Sequence, residues 1–460
     1  MNPDRSPLPD LHIRSDDALL EKIQEDSFRF FSECCNTGNG LIRDSTQPDS
    51  PCSIAVVGFA LTAYCVAIER QWMTRDEAIS RTLAALRFFD RADQSGAPRG
   101  VGYRGFFYHF LHMETGERVW ESELSTIDTA LLVAGMLTAA EYFDRDDAGE
   151  REIRDTAQAI YERVDWAWAC NGEATLSMGW TPEQGFLEYR WKGYNEALLL
   201  YALALGSPTH PVTQEAYAQW LASYRWRTAY ELSYVYAGPL FIHQFSHVWI
   251  DFRDIRDAYM ARREIDYFEN SRRATYVHCR YAEDNPRNFT GYDGRCWGLT
   301  ACDGPGPLTL TVNGRQRTFF DYRARGAPDG PDDGTVAPWA AIASLPFAPE
   351  LVMPTIRNLA ETLYDEASGY GFLCSFNPTL HQTAGDAGWT SPWHFGLHQG
   401  PIVLMIENYR SDFVWQLMRR CPPIINGLRQ AGFSGGWLTQ AMTQAMTQAT
   451  TRTSTRKGVE

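Results

Sequence analysis

No stretch of this chain stays apolar for the roughly 18 residues that a membrane span needs. The nearest, 54–68, contains Thr62 and Tyr64 and runs into Glu69 and Arg70, which suits a buried helix. The ten cysteines contain no CxxC pair, only the neighbours Cys34 and Cys35, so reduced core thiols are expected rather than zinc ligands or a disulfide framework. The opening residues, MNPDRSPLPDLHIRSDD, hold neither an apolar core nor a small-residue cleavage site, and a cytoplasmic location is the expectation. A GK[ST] phosphate loop and a GxSxG elbow are both missing. Basic residues never gather into runs, and 42 Lys and Arg against 57 Asp and Glu leave a net charge of −15. Such a charge repels phosphate backbones and anionic headgroups, which argues against nucleic acid and membrane partners. Oligomeric state is not legible.

What the chain has in abundance is aromatic side chains. They make up 13% of 460 residues, including 15 Trp, and many stand beside Gly, Asp, Asn and Arg. Apolar ring faces flanked by hydrogen-bonding groups suit sugars, whose C–H faces stack while their hydroxyls need polar partners. A hydrophobic fraction of 44% excludes a disordered chain.

Helical periodicity dominates. Ser15 can cap a helix carrying Leu19, Leu20, Ile23, Phe28 and Phe31, and Thr74 with Glu77 forms a capping-box pattern. Further helices are expected at 53–70, 74–91, 125–143, 150–166, 194–205, 211–226, 241–252, 256–275, 338–344, 351–364, 401–409 and 411–421. Nearly all-apolar segments alternate with amphipathic ones. In a double ring the inner helices touch neighbours on most sides while the outer ones face water, so the expected class is all-α, an (α/α)6 toroid. Alternating Leu and Thr leading into Asn313-Gly314 predict a small β-hairpin at 308–313 and 317–322. Residues 1–15 read as an N-terminal extension, 16–437 as the barrel domain, and 438–460, with its TQAM repeats, as a disordered tail.

Four stretches hold residues that could carry chemistry. In the first, 120–128, Ser125 or Thr126 can start a helix with Asp128 in its first turn, where the helix dipole favours a carboxylate; a plain capping role is the alternative. The second, 188–196, places Glu196 after rings at 189, 191 and 194, an environment that raises a carboxyl pKa as a general acid requires. In 243–251, His243 and His247 have metal-ligand spacing, but no Glu stands between them; substrate contacts or interior hydrogen bonds suit them better. The fourth, 288–305, sets glycines beside Tyr292, Trp297 and Asp303, so its backbone can approach a ligand closely. Carboxylates beside aromatics, without a cofactor motif, point to glycosidic chemistry, which needs one protonated and one ionised carboxyl.

The strings STIDTALLVAGMLTAAEYF (125–143), YNEALLLYALALGSPTHPV (194–212), AGPLFIHQFSHVWIDFRDIRD (237–257), DYFENSRRAT (266–275), WGLTACDGP (297–305), DGTVAPWAAIASLPFAPE (333–350) and QGPIVLMIENYRS (399–411) resemble the glucoamylase-like family. That family includes bacterial endo-β-1,2-glucanases and is related to the transglycosylating domain of cyclic β-1,2-glucan synthases. The resemblance implies an (α/α)6 barrel that hydrolyses β-1,2-glucan or short β-1,2-gluco-oligosaccharides with inversion, using no metal or organic cofactor. The glutamate of the family's D-x-x-E-T-A motif aligns with Asp128, its aspartate with Ser125, and its Y-x-E glutamate with Glu196. Glu196, Asp128 and Asp303 are thus the catalytic candidates. Glu123, Tyr194, Trp191, His247, Asp251, Tyr292, Trp297 and Gln399 are the substrate-binding candidates. Transglycosylation, another glucoside linkage, or glycan binding without catalysis are the alternatives, the last supported by Ser125 standing in place of an acid.

Overall fold

Helix starts in this chain are set by short polar side chains. Ser15, Thr74, Ser125, Asp147, Thr213, Asp257 and Asp266 each accept a hydrogen bond from a backbone N–H three residues on, satisfying a group that the helix itself leaves unpaired. The computed structural model describes residues 15–364, 369–380 and 388–441. Its helices are α1 (Asp16–Glu33), α2 (Ile54–Glu69), α3 (Arg75–Asp90), α4 (Thr126–Tyr142), α5 (Ala148–Arg163), α6 (Leu198–Gly206), α7 (Gln214–Ala222), α8 (Phe245–Trp249), α9 (Ala258–Ala261), α10 (Tyr267–Asp284), α11 (Pro338–Ile342), α12 (Pro349–Leu363), α13 (Gly396–Ser411), α14 (Phe413–Met418) and α15 (Pro422–Gln430). The protein is mostly helical, with short antiparallel strand pairs between the helices.

The alternation seen in the sequence becomes two environments. Every residue of α6 is buried, and α2 is buried from Ile54 through Ala67, whereas α1, α5 and α10 bury one face only. The buried helices touch one another in succession: α2 on α4, α4 on α6, α6 on α8, α8 on α13, and α13 on both α11 and α2. Phe245 of α8 and Trp339 of α11, with ring centroids 6.0 Å apart, join the remaining neighbours. Amphipathic helices lie against them, α1 on α13, α5 on α4 and α12 on α11. The α2–α4 crossing is close because both contribute glycine. A Cβ at Gly58 would stand 2.2 Å from the Leu131 oxygen, and one at Gly135 would stand 2.0 Å from the Gly58 oxygen.

Several expected boundaries move. The helix predicted from 194 starts at Leu198, so Glu196 stands in the preceding turn rather than on the helix. The 256–275 segment divides into α9 and α10, because Asp257 and Asp266 each cap a new start. α13 begins five residues before 401 and carries Pro401 inside it, and α15 was not expected at all. The hairpin forms as Leu308–Val312 with Arg315–Phe319 around Asn313-Gly314. Residues 1–14 and most of the 438–460 tail lie outside the described residues. Among the described residues no helix is long and apolar enough to cross a membrane.

A candidate active site at the helix N-termini

The buried helices deliver their N-terminal ends to one cavity of about 450 Å³. Asp128 comes from the first turn of α4, Phe245 from the start of α8, Trp339 from that of α11 and His398 from that of α13; Glu196 stands just before α6. Helix N-termini carry partial positive charge, so carboxylates gathered there are stabilised. Tyr189, Trp191, Tyr322 and Phe241 complete an aromatic wall.

Glu196 is held by its backbone while its carboxyl is left over. The Asn195 side chain accepts from Ala197 N at 3.1 Å, and Ser246 Oγ donates to the Glu196 carbonyl at 2.9 Å while accepting from Leu199 N at 3.0 Å. These contacts cap α6 and fix the turn. The carboxyl itself has no side-chain hydrogen bond or ion pair among the described residues, and burial, with Asp128 nearby, pushes it up to about 7.

Asp128 sits in a connected cluster. Ser125 caps α4 by accepting from Asp128 N at 3.1 Å, and its hydroxyl also donates to the Asp128 carboxylate. His109 bridges two acids, with Nδ1 3.1 Å from Glu123 Oε1 and Nε2 3.6 Å from Asp128 Oδ2. The backbone fixes that bridge: His109 N donates to Glu123 O, and Ile54 N at the start of α2 donates to His109 O. Burial alone would lower the imidazole, but Asp128 and Glu123 outweigh it and lift it to about 9; desolvation opposes ionisation of Glu123 in turn, yet His109 holds it below the usual range. The Asp44 carboxyl, beside His109 and Asp128, is raised by burial to about 6. Ligand atoms of His109, Glu123 and Asp128 lie within 4.8 Å of one another, close enough to take a cation. As the cluster stands, both ring nitrogens of His109 face carboxylate oxygens, the arrangement of a charged imidazole between two acids.

Of the sequence candidates, Glu196, Asp128, Glu123 and Trp191 line this cavity. Trp191 is anchored by its Nε1 donating to Thr126 Oγ1 at 2.9 Å. Asp303 does not line it, although Ala301 does; the Asp303 carboxylate accepts from Ser391 Oγ at 3.2 Å. The other six stand elsewhere. Tyr194 stacks on Tyr267 at 5.7 Å, His247 meets Ser271 Oγ at 2.9 Å, and Tyr292 donates to Asp332 at 2.7 Å. Asp251 is bound by Arg253 and Arg419, while Trp297 and Gln399 are each 1% exposed. His243 and His247 hold interior hydrogen bonds rather than converging on a ligand. The sequence reading missed His109, His398 and Trp339. His398, stacked on Trp339 at 4.8 Å and 11°, is pulled down to about 3 by burial and is therefore neutral. His109 lies in a strand-like stretch whose neighbours carry no motif; its place between two acids is visible only in three dimensions.

The arrangement is an aromatic-walled cavity in which burial raises the Glu196 carboxyl to about 7 while His109 holds Glu123 below the usual range. Residues 188–422 match the Glycoamylase family model, described as "Putative glucoamylase", and the chain belongs to this family. It is 28% identical over 454 residues to an exo β-1,2-glucooligosaccharide sophorohydrolase (non-reducing end) of Parabacteroides distasonis, with 90% of this chain covered. The chain spans 58% of that relative's length. Among solved structures it resembles an endo-β-1,2-glucanase from Chitinophaga pinensis in complex with sophorotriose and glucose (TM-score 0.80, 25% identity, 92% of this chain and 99% of that one). It is also similar to a β-1,2-glucanase from Parabacteroides distasonis (TM-score 0.79, 27% identity, 91% and 60%).

Proposed function

We propose that the protein is a glycoside hydrolase that cleaves β-1,2-linked glucan or short β-1,2-gluco-oligosaccharides with inversion. Its paired helices form an (α/α)6 barrel, and residues 16–437 make one catalytic domain. Support for the barrel comes from the closed succession of contacts among the buried helices. The observation that carries the function is the Glu196 carboxyl, without a side-chain partner among the described residues, facing the same aromatic-walled cavity as the Asp128 cluster. The named activities of similar proteins supply the linkage.

Glu196, protonated for much of the population near pH 7, is the acid that hands a proton to the departing glycosidic oxygen. Asp128 is the base that takes a proton from the attacking water, because Ser125 and the charged His109 orient it and offset its burial. Glu123, held ionised by His109, accepts from a sugar hydroxyl, and Trp191 offers an apolar face. Asp303 has no part in proton transfer here; its backbone N–H and carbonyl bond Cys374 and Ser375 at the strand pair beside the cavity. Incubation with linear β-1,2-gluco-oligosaccharides, with the anomer followed by proton NMR, tests the assignment. Release of the α-anomer at the new reducing end is expected. Release of the β-anomer would overturn inversion, while transfer to an added acceptor sugar or binding without turnover would overturn the hydrolase assignment in favour of an alternative.

A further inference from the structure

Five large hydrophobic side chains are exposed among the described residues: Trp120, Tyr189, Leu310, Tyr322 and Tyr409. Tyr189 and Tyr322 line the cavity, while Trp120, 67% exposed, stands just beyond it. A stack of rings connects the two places: His109 lies on Phe110 at 3.9 Å and 15°, and Phe110 meets Trp120 at 5.0 Å. The backbone is left-handed at both Trp120 (φ 58) and Glu121 (φ 49), a conformation that bulky L-residues adopt only where their surroundings impose it. Buried Arg118 imposes it, with Nη2 donating to Glu121 O at 2.6 Å, Nε to Ser122 O at 2.5 Å, and an ion pair to Glu183 at 2.7 Å. The chain thus fixes a strained turn that leaves an indole in water.

Trp120 borders a separate depression of about 270 Å³ whose polar lining includes Arg43, Asp49, Ser50, His112 and Glu114. Ser50 Oγ is bonded within its own turn, accepting from Ser45 N at 3.0 Å, and Glu114 accepts from Asn36 Nδ2 at 3.1 Å, but the other groups are open to a ligand. Neither the Arg43 guanidinium nor the Asp49 carboxylate makes a hydrogen bond or ion pair with a described residue. His112 Nδ1 accepts from Glu114 N and Thr115 N, each at 3.2 Å, so the ring proton sits on Nε2 and is free to donate. One cation beside two acids disfavours an anionic ligand, whereas separated donors and acceptors around an open indole match a ring that is apolar on its face and hydroxylated at its edge.

We propose that this depression is a distal glycan subsite. Trp120 stacks on a glucosyl unit of the chain being cut in the cavity, Arg43 and His112 donate to its hydroxyls, and Asp49 accepts from them. The inference rests on the cavity's being a glycan site. Its test compares kcat/KM for β-1,2-gluco-oligosaccharides of three to eight units in the parent, Trp120→Ala and Trp120→Phe. In Trp120→Ala the long-to-short ratio should fall about tenfold, through KM, and Trp120→Phe should restore most of it. An unchanged ratio in Trp120→Ala overturns the subsite. If the parent cleaves none of these sugars, the hydrolase assignment fails by itself, and calorimetry then decides the subsite. Binding of the eight-unit chain about tenfold weaker in Trp120→Ala supports it, and equal binding or none overturns it.

Discussion

Two acidic sites in this molecule are built on opposite plans. Asp251, 1% exposed, is saturated: Arg253 grips both its oxygens at 2.8 and 3.0 Å, and Arg419 also binds it. Burial would raise its carboxyl, but the two guanidinium groups outweigh that and hold it below the usual range. Glu196 is partly buried and has no side-chain partner among the described residues, with its carboxyl raised to about 7. A carboxylate whose lone pairs are all used is committed to the fold, whereas one left without partners in a cavity is available to a ligand. The proposed chemistry therefore uses the carboxyl whose side-chain bonding stops short.

That contrast can be broken by substitution. Glu196→Gln should lower kcat by about 10²- to 10⁴-fold while leaving Tm near the parent value, and Asp128→Asn should do likewise. Activity above a tenth of the parent in both variants would refute the assigned roles. Asp251→Ala should do the reverse. It removes the shared anion of two partly exposed guanidinium groups, of which Arg253 keeps Asp412 at 2.8 Å, and should cost about 1–3 kcal/mol, read by denaturant unfolding, with little change in KM for folded enzyme.

The same division separates two tryptophans. Trp297, 1% exposed and away from the cavity, should lose about 3–5 kcal/mol of stability on change to Ala, while Trp191→Ala should also raise KM. Smaller still, Ser125→Ala removes the α4 cap and should cost about 0.5–2 kcal/mol, with a lower kcat because Asp128 loses its hydroxyl partner.

The pH profile sharpens the contrast further. An acid must be protonated to act, so the rate that depends on Glu196 should be full below its pKa and decline as pH rises through about 7. His109 keeps its proton until about 9 and should not set that limb.

Much of the fold was legible because burial repeats along the chain. The all-apolar stretches at 53–70 and 125–143 became α2 and α4 almost to the residue, since a helix buried on every side needs no amphipathic phase. Starts written by side-chain caps, such as Thr74 and Ser125, were also readable. The 194 start was not, because Leu198 is preceded by a turn held from a distance by Ser246 of another helix. Of the sequence candidates, Glu196, Asp128, Glu123 and Trp191 share one cavity because they lie at, or a few residues before, the starts of α4 and α6. His247, Asp251, Tyr292 and Trp297 carried the same kind of local signal but are engaged by Ser271, by two arginines, by Asp332 and by the core. Motif spacing reports residue type, not whether a polar group's partners are already present.

The most direct test of this contrast is the protonation of Glu196 itself, followed by carboxyl-carbon NMR on glutamate-labelled protein. One glutamate should titrate with a midpoint near 7, and that resonance should vanish in Glu196→Gln. If every glutamate titrates below about pH 5, Glu196 is an ordinary carboxylate and the proposed acid does not exist.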